Sequence, residues 1–281
     1  MPSAPADTPG LSTVESQRWK VGSWSNERSQ GQGRNSRRRG AGQYRRGDRR
    51  APRRGRRRRR GSRPHEAAAA AVVDEIKSSG GTALARSFDI TDEASYKQLV
   101  EDTVNEFGRL DGLFNVAADL SPATLAQDTD VLSVSLEVWR HTIDVTLTGY
   151  MFGIRHALPI MMKQGGGAIV NTMSTSVWMG EDTRVAYQTA KAGLYGLTRH
   201  TATLGGKHGV RCNSVAPGVI LTGAALANTT EEYRDEILAS VRSHRLGVPE
   251  DLAAMVAFLF SDDGAYVTGQ TILVDGGANF T

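Results

Sequence analysis

From Glu66 to the end of the chain, helical stretches alternate with short apolar runs, and the apolar runs are continuous rather than alternately polar and apolar. A strand with one solvated face shows a period of two. A continuous apolar run belongs to a strand covered on both faces. That feature restricts the fold to an α/β class, a parallel sheet with helices packed on each side. Helices are expected in 66–79, 91–108, about 135–163, 184–206 and 249–261, and strands in 82–90, 110–118, 166–174, 210–218 and 270–277. The series begins with a helix. A doubly wound sheet opens instead on strand, glycine turn, helix and second strand. The first βαβ unit is missing from its place.

An arginine run stands there. Residues 31–63 hold 16 arginines, and residues 1–65 carry 19 Lys+Arg against 4 Asp+Glu. Residues 66–281 carry 15 against 26, so the two parts have net charges of +15 and −11. Like charges at the density of the run repel, and the run has no apolar face to pack. Residues 1–65 are therefore expected to be disordered, and residues 66–281 to form a single catalytic domain. The single cysteine, Cys212, excludes an intrachain disulfide. The alanine-rich run 67–73 is cut by Asp74, and the first 30 residues lack an apolar leader, so a cytoplasmic protein without a membrane segment is expected. His156, His200 and His244 lack ligand spacing, and no metal is expected.

Tyr187 and Lys191 lie four apart in a predicted helix and share a face. Alone, the pair is equally a solvated tyrosine–lysine contact. Its surroundings are more specific. Ser174 ends a predicted strand 13 residues earlier. Asp89-Ile90 and Asn115-Val116-Ala117-Ala118 follow two others, and Pro217-Gly218 with Thr222 follows a fourth. "RLGVPEDLA" and "VTGQTILVDGG" come later. Together these motifs make residues 66–281 resemble the short-chain dehydrogenase/reductase family.

The resemblance implies a Rossmann-like doubly wound sheet and an NAD(P)-dependent oxidoreductase that interconverts a secondary alcohol and a ketone by hydride transfer. It casts Tyr187 as acid/base, Lys191 as the cation that lowers its pKa and holds the nicotinamide ribose, and Ser174 as the hydrogen-bond donor to the substrate oxygen. A free phenol, at pKa ~10, is too weak an acid for this work at neutral pH without such help. Pro217, Gly218, Val219 and Thr222 would line the nicotinamide. Asp89 and Ile90 would contact the adenine, although Asp89 alone could simply cap a helix. Asn115 and Ala117 would lie beside the adenosine ribose. The implied partners are a small alcohol or ketone and further copies of the chain, as a dimer or tetramer. Trp178 and Met179 either border the substrate or pack, and residues 222–244 are expected to close over it.

Two departures stand out. The family's V-N-x-x-G is "VTLTG" here, with Thr146 at the place of an asparagine that holds a water in the proton relay; a hydroxyl offers fewer hydrogen bonds than an amide. The family's first strand and Thr-Gly-x-x-x-Gly-x-Gly loop are also absent. We read residues from about 30 to 64 as a displaced reading frame. Adjacent CGN arginine codons, read one base later, give GNC, which encodes Gly, Ala, Val or Asp. From Gly31 onward the shifted frame can read G-K-V-A-I-V-x-G-x-G-x-G-S-I-G, like the opening of the family, although the Arg37–Arg38 pair cannot give the expected threonine. Arg56 to Arg60 can give a valine-rich second strand, and Gly61 with Ser62 an Asp. Such an Asp would bind the ribose hydroxyls and favour NAD over NADP. The alternative, taking the sequence as written, is an inactive relative of the family whose arginine tail binds nucleic acid non-specifically. Residues 31–63 hold one aromatic, Tyr44, so base stacking is hardly open to the arginine run, and an organelle-targeting segment is a further reading of it.

Overall fold

A computed structural model describes residues 63–280. The arginine run, apart from Arg63, and the disordered segment expected over 1–65, apart from its last three residues, lie outside the described residues, as does any replacement for the glycine loop.

The elements follow in the order α1 (Arg63–Ser78), α2 (Glu93–Phe107), β1 (Gly112–Asn115), α3 (Pro122–Leu125), α4 (Leu136–Ile143), a π turn (Asp144–Thr148), α5 (Gly149–Gln164) and β2 (Gly167–Thr172). Then come α6 (Ser176–Met179), α7 (Val185–Gly206), β3 (Val210–Pro217), α8 (Gly223–Asn228), α9 (Glu231–Ser240), α10 (Pro249–Phe260) and β4 (Thr271–Val274). The described strands form one parallel sheet, β1-β2-β3-β4, with Asn115, Asn171, Ser214 and Thr271 in register across it. Parallel strands must be linked by crossovers, and the helices between successive strands supply them.

Alternate strand residues feed two cores. Ile169, Met173, Cys212 and Ala216 pack with α2, α5 and α7, where Tyr96, Val100, Tyr150, Ile154 and Leu194 are buried. Val170 and Val215 face the other way, onto Val256 and Leu259 of α10. The sheet is thus covered on both faces, as the continuous apolar runs require. Helix boundaries follow local chemistry. Asp92 caps α2, accepting from Ala94 N at 3.1 Å, and Gly108 ends it in the left-handed conformation. Pro249 opens α10, and the Asp251 carboxylate accepts from Val248 N at 2.8 Å.

Three expectations are corrected. Residues 82–90 are not a strand, although Phe88 and Ile90 are buried as the apolar pattern requires. A strand needs a hydrogen-bonding neighbour, and none of the described strands pairs with this segment. The helix expected over 135–163 is interrupted by the π turn, in which Gly149 N–H bonds Asp144 O. The first helix starts at Arg63, three residues before the expected boundary, and buries no residue over 68–78.

Candidate active site

The three central residues come from two elements. Ser174 lies two residues beyond the end of β2, and Tyr187 and Lys191 occupy successive turns at the start of α7. Ligands of open parallel sheets bind beyond the carboxyl ends of the strands, and all three stand there. The Ser174 hydroxyl hydrogen-bonds the Tyr187 phenol and also accepts from Ser176 N at 3.2 Å. Lys191 Nζ lies 5.7 Å from the centroid of the Tyr187 ring and 5.4 Å from that of Tyr150, and it donates to Thr172 O at 2.6 Å. Lys191 is buried, and burial brings its pKa down to about 7. Burial raises the Tyr187 phenol, while the Ser174 hydrogen bond and the Arg184 charge pull it back and Glu181 adds to the rise.

Helix α7 begins on Arg184, a residue that cannot cap it. The cap comes from far away. Asp128, buried in the loop after α3, accepts from Ala186 N through one carboxylate oxygen and from Tyr187 N through the other, both at 2.9 Å. Its backbone carbonyl accepts from Arg184 N at 2.8 Å. No sequence motif pointed to Asp128. The available signal was a helix whose first residues lack Ser, Thr, Asp or Asn.

Thr146 is buried in the π turn. π turns of this kind recur at functional sites. The turn packs on α7, with Leu147 so close to Gly193 that a Cβ there would meet Leu147 Cδ2 at 2.7 Å. Gly149 ends the turn against Ile90, whose carbonyl oxygen would lie 2.8 Å from any added Cβ. Ile90 is thus a buried packing residue. Asp89 Oδ1 accepts from Thr91 N at 2.9 Å and from Thr91 Oγ1 at 2.6 Å, a local turn before α2, whose cap is Asp92 and not Asp89.

Asn115 has its side chain committed inward. Its Oδ1 accepts from Tyr96 OH and its Nδ2 donates to Asn171 Oδ1, each at 2.9 Å; Asn171 then donates to Thr198, which shares a hydrogen bond with Ser214. This buried relay ties β1, β2, β3, α2 and α7 together. Each such bond adds about 1 kcal/mol, and an orphaned buried group costs more. Ala117 O accepts from Tyr150 OH at 3.0 Å. Pro217 O accepts from both N and Oγ1 of Thr175, which fixes the end of β3 beside Ser174. Gly218 is needed for room, since a Cβ would meet Asp275 Cα at 2.9 Å. Val219 is part-exposed, and the Thr222 hydroxyl accepts from Ala225 N to cap α8. Trp178 and Met179 are exposed at 38% and 64%, so neither is core packing in the described chain. Residues 222–244 fold into α8 and α9, and α9 buries none of its residues.

Lys191 is a buried ammonium with three N–H donors, and among the described residues it has one hydrogen-bond acceptor, Thr172 O. An ammonium so placed suits a hydroxyl-bearing ligand such as a ribose. The nicotinamide end therefore fits; the phosphate cradle falls outside the described residues.

A parallel sheet with both faces covered and a Ser–Tyr–Lys cluster beyond its strand ends defines an α/β oxidoreductase of the nicotinamide-using kind. A family model described as enoyl-(acyl carrier protein) reductase matches residues 62–279, and the chain belongs to the short-chain dehydrogenase/reductase family. It is 39% identical over 203 residues to a 7α-hydroxysteroid dehydrogenase of Bacteroides fragilis, covering 72% of this chain and 77% of the relative. It is 39% identical over 209 residues to a cyclohexanol dehydrogenase of an Acinetobacter species, covering 74% and 80%. Among solved structures, a 7α-hydroxysteroid dehydrogenase complexed with NADH and 7-oxo glycochenodeoxycholic acid superposes with a TM-score of 0.70 at 30% identity, covering 76% of this chain and 81% of that one. A short-chain dehydrogenase/reductase from Mycobacterium ulcerans superposes with a TM-score of 0.69 at 31% identity, covering 74% and 76%. The protein is an NAD(P)-dependent oxidoreductase of this family. Among the described residues, no helix is long and apolar enough to cross a membrane.

Proposed function

We propose that this chain interconverts a secondary alcohol and a ketone, with Tyr187 moving the proton. The observation that carries the reading is that Ser174 and Lys191 both neighbour Tyr187, the first hydrogen-bonding its phenol and the second lying 5.7 Å from its ring centroid. In the reducing direction Tyr187 OH gives its proton to the carbonyl oxygen, and Ser174 donates a hydrogen bond to the same oxygen as negative charge develops. In the oxidising direction the phenolate takes the proton back. When bound, the nicotinamide supplies or accepts the hydride. Lys191, anchored on Thr172 O, holds the ribose and, while protonated, favours the phenolate. Thr146 holds a water on the proton path from the π turn.

NAD is the favoured dinucleotide, on the Asp that the shifted reading places at the end of the second strand. The active form is a cytoplasmic homo-oligomer, and a cyclic secondary alcohol is the substrate class, as two relatives are named for ring-borne hydroxyls. The test is cyclohexanol oxidation with NAD+ followed at 340 nm. Tyr187→Phe is expected to lower kcat by about a hundredfold or more, the usual reach of acid–base catalysis. Undiminished turnover in that variant would overturn the proposal.

A further inference from the structure

Among the described residues, Arg184 is the one non-glycine residue with a positive φ, at φ 61 and ψ 40. The left-handed conformation is costly for a residue with a Cβ, and it persists where surrounding contacts enforce it. Three contacts do so here. The Arg184 N–H donates to Asp128 O at 2.8 Å. Its Nε donates to Glu181 Oε2 at 2.7 Å, and a terminal guanidinium nitrogen reaches the same oxygen. The guanidinium carbon lies 5.5 Å from the centroid of the Tyr187 ring.

We propose that Arg184 and Glu181 form an acidity-setting pair for Tyr187, in which the guanidinium favours the phenolate and Glu181 limits how far it does so. The inference rests on reading Tyr187 as the acid/base. The other groups facing the phenol do not supply a permanent charge. Ser174, beyond β2, offers a neutral hydroxyl. Tyr150, on α5, is held neutral by burial and by the neighbouring Tyr187, and so brings no charge to the phenol. Asp128 meets the backbone N–H of Tyr187. Lys191, 5.7 Å from the ring centroid, is a second cation at the phenol, but burial brings its pKa down to about 7, so its charge varies with pH. A guanidinium cannot be deprotonated in the working range, so Arg184 supplies a charge that does not change with pH. The left-handed turn at the start of α7 keeps it on the ring. The motif residues Ser174, Tyr187 and Lys191 do not include this pair.

The test follows the Tyr187 phenol itself, without turnover. The full chain is labelled with tyrosine carrying 13C at the ring carbon that bears the hydroxyl, and the Tyr187 resonance is identified by its loss in Tyr187→Phe. Its midpoint is followed with pH in the wild type and in R184M, R184K and E181Q. R184M is expected to raise the midpoint by about one pH unit, E181Q to lower it, and R184K to hold it near the wild type, from Coulomb interaction at this separation in a partly screened site. An unmoved midpoint, or R184M and E181Q moving it in the same direction as a loosened helix start would, overturns the inference. If R184M does not fold, E181Q and R184K decide it. Undiminished turnover in Tyr187→Phe sinks the acid/base reading instead, whatever these midpoints show.

Discussion

The backbone N–H of Tyr187 donates to Asp128 Oδ2 at 2.9 Å, across 59 residues of sequence. The proposed proton donor is thus located by an acid that never meets the substrate. Asp128 takes two of the unpaired N–H groups at the start of α7, and its negative charge suits the positive end of that helix.

Removing the Asp128 carboxylate should therefore loosen the catalytic helix before it touches the chemistry. Asp128→Ala leaves two buried N–H groups without acceptors and is expected to cost about 2–4 kcal/mol, with a lower kcat. Asp128→Asn keeps one acceptor and should lose about half of that. Urea unfolding of both variants alongside kcat gives the comparison. An alanine variant as stable as the wild type would show that the cap contributes nothing.

Lys191 makes the stability of the fold depend on pH in a definite direction. Burial holds its pKa at about 7, against ~10.4 in an unfolded chain. Between those values the unfolded chain keeps a proton that the folded chain has released, so this group makes stability rise with pH from about 7 to about 10.4. Below 7 the folded chain bears the whole cost of a buried charge. Lys191→Met should abolish turnover yet stabilise the protein by on the order of 2 kcal/mol at pH 6, with the gain shrinking toward pH 10. Cys212 opposes this trend, since burial pushes its thiol up to about 12. Subtracting the variant from the wild type cancels that contribution. A stability difference that stays constant with pH would sink the prediction.

The Thr146 hydroxyl is tested by Thr146→Val, which keeps the shape of a buried side chain and removes its polar end. If the hydroxyl holds a relay water, kcat should fall roughly tenfold while stability changes by about 1 kcal/mol or less. An unchanged kcat would leave Thr146 as packing in the π turn.

The parts of the site legible in the sequence are those carried by local spacing. Tyr187 and Lys191 show their shared face through a four-residue interval, and the buried Ile169, Val170 and Val215 show a doubly covered sheet through continuous apolar runs. Contacts set by folding were not legible. Asp128 meets α7 across 58 and 59 residues, which no local capping rule can find. The π turn adds one residue per turn without disturbing the apolar pattern around it. Segment 82–90 declared its burial through Phe88 and Ile90, but strand formation depends on a neighbour, and that information lies in other residues. Asn115 was legible as a motif residue, while its commitment to Tyr96 and Asn171 became visible only with the strands in register.

The arginine run makes the last prediction one about DNA. Sequencing the coding region across codons 28–66 from the source is expected to show one base gained or lost near each end of the run. A chain built in the corrected frame carries the family's glycine loop, whose backbone N–H groups and helix start hold a pyrophosphate. Titration with NADH, followed by its fluorescence, should then give a dissociation constant at least a hundredfold lower than for the chain as written. Confirmation of the present bases, together with NADH binding that frame correction does not improve, would show that the fold holds its dinucleotide without that loop and would remove the basis for favouring NAD.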